Sequence, residues 1–106
     1  MDEKEIKNNL VEKIAKDFSL EINFSVTETN LGDIKNYLAK RIKLLMSSNF
    51  DRFLTTLYRI DVDENKTREI LYSKDKENIP FKLADLIIER QLQRIKTQLL
   101  YKKGKI

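Results

Sequence analysis

The chain contains no cysteine and no histidine. Their absence excludes disulfides, thiolate or imidazole metal sites, and the catalytic arrangements that pair a nucleophile with histidine. Only two glycines are present, Gly32 and Gly104, and they lie far apart, so the sequence has no glycine-rich loop that could bind phosphates. We therefore expect a non-enzymatic protein that uses neither a metal ion nor a cofactor.

Proline and long apolar runs are also scarce. The chain has a single proline, and no run of apolar residues is longer than three. A helix that spans a bilayer needs about 20 consecutive apolar residues. The acidic start of the sequence, Met1–Glu5, is not followed by the apolar segment of a secretory signal. We expect no membrane partner, and we predict a cytoplasmic location.

Charged and aliphatic residues are abundant. Charged residues make up 36% of the chain, and Leu, Ile, Val and Phe supply 34 of the 106 residues, well above the roughly 20% below which chains stay disordered. Few turn-forming residues together with many charges are typical of amphipathic helices. The sequence predicts an all-α fold, a compact bundle of four to five helices. We expect one domain over residues 1–106, with a basic tail at 102–106 that can fray.

Hydrophobic periodicity and helix-capping residues predict five helical segments. The first helix covers residues 3–17, and the second is capped by Thr29 or Asn30. The third covers residues 50–60 and is capped by Ser48 or Asn49. A short fourth helix begins with a capping box at Asp61 and Glu64 and buries Ile70 and Leu71, and a long fifth runs from Pro80 to about Tyr101.

Between the first two helices, apolar and polar residues alternate, which alone predicts a strand. No second alternating run is available to pair with it in one chain. We interpret residues 18–27 as an extended segment that packs on the helices or pairs with a second copy.

The fifth predicted helix has one continuous apolar face along its whole length. A second apolar surface on the same helix ends before Arg90. The first half of the helix should therefore be buried nearly all round, whereas the second half should present a single apolar face. A long helix with a single apolar face tends to pair with a second copy. We predict that Leu92, Ile95 and Leu99 form a dimer seam.

Basic residues collect at the C-terminal end. Residues 90–106 hold six Arg and Lys side chains and no acidic one. Because cations along a helix can contact phosphates, an alternative function is non-specific nucleic-acid binding. A solvated helix end whose cations complement the helix dipole is the structural alternative. The candidate anion-binding residues are Arg94, Lys96, Lys102, Lys103 and Lys105.

Charges also flank apolar residues around the third, fourth and fifth helices. Asp85 and Glu89 lie one helical turn apart, and such carboxylates can raise each other's pKa and support acid–base chemistry. Charges at the border of a core are more often paired than catalytic. We therefore favour an ion pair between Arg59 and Asp85 or Glu89.

Two stretches, LTTLYRIDVDE at 54–64 and ADLIIERQL at 84–92, resemble a family of small uncharacterised all-helical bacterial proteins. The resemblance implies an all-α cytoplasmic protein without assigning an activity. The candidate interaction or structural ion-pair residues that the resemblance marks are Tyr58, Arg59, Asp61, Asp85, Glu89 and Arg90.

The function that these observations favour is a small non-enzymatic protein-interaction module. We expect it to self-associate through the later part of the fifth helix or through residues 18–26, so its partner is a second copy or another protein. Nucleic-acid binding through the basic C-terminal helix is the alternative.

Overall fold

A computed structural model describes residues 3–18 and 30–102 of the chain. Within these ranges the protein is all-α, as predicted, and contains no strand. No described helix is long and apolar enough to cross a membrane. The segment 18–27 lies outside the described ranges, except for Phe18, which ends the first helix. The helices are α1 (Glu3–Phe18), α2 (Leu31–Ser48), α3 (Phe50–Arg59), α4 (Glu64–Leu71) and α5 (Ile79–Lys102), with a short 3₁₀ turn (Lys76–Asn78) before α5.

The long helix α5 lies at the centre of the bundle and packs against α1, α2 and α4. The Lys35 ammonium of α2 lies 2.8 Å from the Asp85 carboxylate of α5 and 6.0 Å from the centre of the Phe81 ring. The core joins four helices and the α3–α4 connection. Its largest fully buried side chains include Leu10, Ile14, Phe18, Leu38, Ile42, Phe53, Ile60, Leu83, Ile87 and Ile95.

The predicted starts of α2 and α3 are confirmed. The Asn30 side chain accepts a hydrogen bond from the backbone N–H of Asp33 at 2.9 Å, and Asp33 accepts one in return, which forms a capping box. The Asn49 side chain caps α3 by accepting a hydrogen bond from the backbone N–H of Arg52 at 3.2 Å. Because Asn49 also ends α2, the two helices meet at a single residue.

The predicted cap of α4 at Asp61 is wrong. Asp63 is the cap, and its carboxylate accepts a hydrogen bond from the backbone N–H of Lys66 at 3.0 Å. Asp61 instead has a φ of 60°, the left-handed conformation that aspartate tolerates better than most residues. This conformation turns the chain sharply between the buried side chains of Ile60 and Val62.

The predicted dimer seam on α5 is buried inside one chain. Ile95 is 1% exposed and Leu99 is 7% exposed, and Leu92 is half-buried against the same core. Helix α1 packs along α5, and the Gln91 side chain of α5 donates a hydrogen bond to Asp17 of α1 at 2.6 Å. The apolar face of the later half of α5 is therefore covered by the chain itself.

Candidate functional site

An open groove lies between the end of α2, α3, α4 and the start of α5. It has a volume of about 1520 Å³. Its floor is aliphatic and is formed in part by Leu54, Leu57, Val62, Leu71 and Ile79. Since these side chains belong to the core or pack against it, the groove brings the edge of the hydrophobic core to the surface.

The groove exists because α3 carries two apolar faces. Phe53 and Leu57 are buried in the core, and Leu57 also reaches the floor of the groove. The second face, which lines the groove, is formed by Phe50, Leu54 and Tyr58. The last three residues are spaced by four, which places them on one side of a helix. Phe50 is 36% exposed and Tyr58 is 74% exposed. The described part of the chain therefore leaves the second apolar face of α3 open.

The short helix α4 forms another wall of the groove. Its one buried residue is Thr67, whose hydroxyl donates a hydrogen bond to the backbone oxygen of Asp63 at 2.8 Å. Ile70 and Leu71, which we expected to be buried, are only half-buried. Leu71 faces the groove beside Tyr72, which is 80% exposed at the end of the helix. The groove thus has aromatic side chains on both α3 and the end of α4.

Charges of both signs surround the apolar floor. Three acidic side chains come from the α3–α4 connection and the first turn of α4. The Glu64 carboxylate raises the pKa of Tyr58, first by accepting a hydrogen bond from its hydroxyl and then by its negative charge. The charged side chains that line the groove are Asp61, Asp63, Glu64 and Glu77 with Lys43, Arg68 and Lys76.

The structure brings together three of the six candidate interaction or ion-pair residues. Tyr58 and Asp61 both line the groove. The Arg90 guanidinium of α5 donates a hydrogen bond to the Asp61 carboxylate at 3.2 Å and another to the Gln93 side chain at 3.1 Å. Because the Asp61 side chain is 85% exposed, the pair joins α5 to the α3–α4 corner at the surface of the protein.

The other three candidates form no ion pair with one another. Asp85 and Glu89 are both exposed and lie one turn apart on α5. The predicted ion pair of Arg59 with Asp85 or Glu89 is wrong, since neither pair occurs among the described residues. Asp85 pairs with Lys35, on the side of α5 that packs against α2. Arg59 lines a second, smaller cleft that also contains residues of α1. Arg59 therefore faces α1 and α5 rather than the acidic residues of the first half of α5.

Three of the five candidate anion-binding residues lie on the later part of α5. Arg94 is half-buried and lines the smaller cleft. Lys96 and Lys102 are exposed, and Lys102 is the last residue of α5. Lys103 and Lys105 lie outside the described residues. Of this set, Arg94 alone is placed in a concave site by the described part of the chain.

The groove and the smaller cleft were both missed by the reasoning from sequence. The groove had a signal, because Phe50, Leu54 and Tyr58 form a second stripe beside the core stripe of α3. The sequence carries no signal for the smaller cleft, because Lys13 and Arg94 lie about 80 residues apart and meet only through the packing of α1 on α5.

Comparison with protein-family models, with curated proteins and with solved structures gives no match. The resemblance to small helical bacterial proteins therefore stays a prediction.

Proposed function

We propose that the protein is a non-enzymatic, cytoplasmic protein-interaction module that self-associates through the groove formed by α2, α3 and α4. The observation that carries the proposal is the second apolar face of α3, which residues 3–18 and 30–102 leave uncovered, with Phe50 and Tyr58 exposed beside an aliphatic floor. A contiguous exposed apolar surface with a polar rim is typical of an interaction site. The absence of histidine and cysteine from the sequence supports a non-enzymatic role.

The size of the groove favours a protein partner over a small molecule. Its volume of about 1520 Å³ exceeds the roughly 300–1,000 Å³ of ordinary small-molecule sites. Nineteen residues line it, close to the roughly 20–30 residues that each partner contributes to a stable protein interface. The groove is therefore large enough to form most of one side of such an interface.

The composition of the groove favours a second copy of the chain as the occupant. A two-fold dimer places the same surface on both partners, so the surface must complement itself. Acidic side chains gather at the α3–α4 corner, and the lysines Lys43 and Lys76 come from α2 and the 3₁₀ turn. In a two-fold contact, the acidic part of one copy can face the lysines of the other while Tyr58 and Tyr72 enter the partner's groove.

Sedimentation equilibrium of the full chain over a range of micromolar concentrations tests this proposal, with Tyr72→Asp as the test variant. Tyr72 is 80% exposed, so the substitution should leave the fold intact. A tyrosine that is a hot spot of an interface contributes about 2 kcal/mol or more. A two-fold contact contains the residue twice, so the loss is about 4 kcal/mol. We expect Tyr72→Asp to weaken the dimer at least about 500-fold.

Tyr101→Asp is the matched control. Tyr101 is 71% exposed and lies outside the groove, on the last turn of α5. We expect this variant to dimerise like the unmodified chain. A chain that stays monomeric at high micromolar concentration would contradict the proposal, and so would equal weakening by the two substitutions.

A further inference from the structure

A second concave site lies between α1, α3 and α5, and it shares no lining residue with the groove. Its volume is about 350 Å³, near the lower end of the range for small-molecule sites. Four basic side chains and a single acidic one line it. They are Lys13, Lys16, Arg59 and Arg94 with Asp17.

None of the four cations forms an ion pair with another residue in the described ranges. Two of them have a structural explanation, because Lys16 and Arg59 lie in the last turns of α1 and α3, where cations complement the helix dipole. Lys13 and Arg94 lie within their helices, so the dipole does not explain them. The cleft thus concentrates positive charge beyond what its helix ends require.

One residue that lines the cleft, Gln91, also carries a buried acceptor without a partner. Gln91 is 1% exposed, and its side-chain N–H donates a hydrogen bond to the Asp17 carboxylate at 2.6 Å. A carboxylate only accepts hydrogen bonds, so it fixes the orientation of the amide. The remaining atom, the Gln91 Oε1 oxygen, is buried and has no hydrogen-bond partner. A ligand in the cleft would therefore need a donor as well as negative charge.

We propose that this cleft binds a small phosphate monoester that carries a hydroxyl group, with the basic side chains on the phosphate and a ligand O–H donating to Gln91 Oε1. Arginine suits phosphate because its planar guanidinium can donate two parallel hydrogen bonds. A DNA backbone fits the cleft less well, since its phosphodiester and deoxyribose groups carry no hydrogen-bond donor. The small volume also favours a single phosphorylated metabolite over a polymer.

Isothermal titration of the full chain with four probes tests the proposal: inorganic phosphate, sulfate, ribose 5-phosphate and a single-stranded oligonucleotide. Near pH 7.5 hydrogen phosphate retains an O–H donor and sulfate has none. A buried acceptor left unpaired weakens binding by about tenfold or more. We expect phosphate to bind at least about tenfold more tightly than sulfate, and ribose 5-phosphate to bind more tightly than either.

Matched variants locate the binding. Arg59→Gln removes a cation of the cleft, whereas Arg52→Gln removes an exposed cation of the same helix outside it. Arg94→Gln and Lys96→Gln form the equivalent pair on α5. Each cleft variant should weaken ribose 5-phosphate binding about tenfold, and each control should leave it unchanged. Thermal unfolding of all four variants confirms that they are folded.

Three results would overturn the proposal. The first is no binding of phosphate or ribose 5-phosphate to the folded chain. The second is equal affinity for phosphate and sulfate, because the Gln91 acceptor would then select nothing. The third is tighter binding of the oligonucleotide than of ribose 5-phosphate with the same dependence on Arg94, which would assign the cleft to nucleic acid.

Discussion

The substitution Ile95→Ala separates the two roles considered for the later half of α5, a dimer seam and a part of the core. Ile95 is 1% exposed within a single chain and belongs to its hydrophobic core. Truncating such a side chain removes its packing and leaves a cavity, at a cost of about 2–5 kcal/mol. We therefore expect the free energy of unfolding to fall by about 3 kcal/mol.

Urea unfolding monitored by circular dichroism measures this loss. A small domain loses about 1–3 kcal/mol of stability per molar urea, so a loss of about 3 kcal/mol lowers the midpoint by about 1–3 M. The matched control is Lys96→Ala at the next position, whose side chain is exposed. Exposed substitutions of this kind usually change stability by less than about 0.5 kcal/mol.

Self-association through the groove would raise the unfolding midpoint of the unmodified chain and of Ile95→Ala alike. The difference between their midpoints should therefore be the same at low and at high protein concentration, because the lost contacts lie within one chain. The reasoning would be refuted if Ile95→Ala kept the unfolding midpoint of the unmodified chain and abolished self-association. That result would place the side chain between two copies, as the sequence pattern alone predicts.

Two further predictions follow from the α3–α4 corner. Asp63→Ala should lower the free energy of unfolding by about 1 kcal/mol, because it removes the cap of α4. Asp61→Asn should change the free energy of unfolding by less than about 0.5 kcal/mol, since the ion pair that it removes is exposed. Urea unfolding compares the two, and a larger loss for Asp61→Asn would contradict this assignment. Ultraviolet titration should find Tyr58 deprotonating at a pH above the ordinary value for tyrosine, and Glu64→Gln should lower that pKa because the carboxylate causes the shift. An unchanged Tyr58 titration in Glu64→Gln would show that Glu64 is not the cause.

Local features were predictable from the sequence. Five helices follow from the spacing of apolar residues. The caps of α2 and α3 follow to within one residue, because Thr29 and Asn30, and likewise Ser48 and Asn49, can each accept a hydrogen bond from the next turn, and the structure selects Asn30 and Asn49. The position of the α4 cap was not predictable. Asp61 and Asp63 are chemically identical candidates, and the left-handed backbone at Asp61 depends on how Ile60 and Val62 pack.

The partners of each helical face were not predictable either. The stripe of Leu92, Ile95 and Leu99 has the same pattern whether another helix of the same chain or a second copy covers it. The structure covers it with the chain itself and leaves the stripe of Phe50 and Tyr58 exposed. The choice depends on which faces fit one another in the folded chain, and the periodicity of one helix contains no information on that fit.

This packing decides which variants can test nucleic-acid binding through the end of α5. A chain ending after Leu92 would lose Ile95 and Leu99, which are buried in the core, so it would lose its fold together with any basic surface. Replacing the exposed Lys96 and Lys102 by glutamine removes charge without removing packing.

The most direct test of the groove as the self-association surface is an isotope-filtered nuclear Overhauser experiment on a mixture of labelled and unlabelled chains. Only contacts between two copies give signals in this measurement. We predict intermolecular signals between the ring protons of Tyr72 or Tyr58 and the methyl groups of Leu54 and Leu71, which line the groove. Intermolecular signals confined to Tyr101, or their absence at a concentration where the chain is dimeric, would contradict the account.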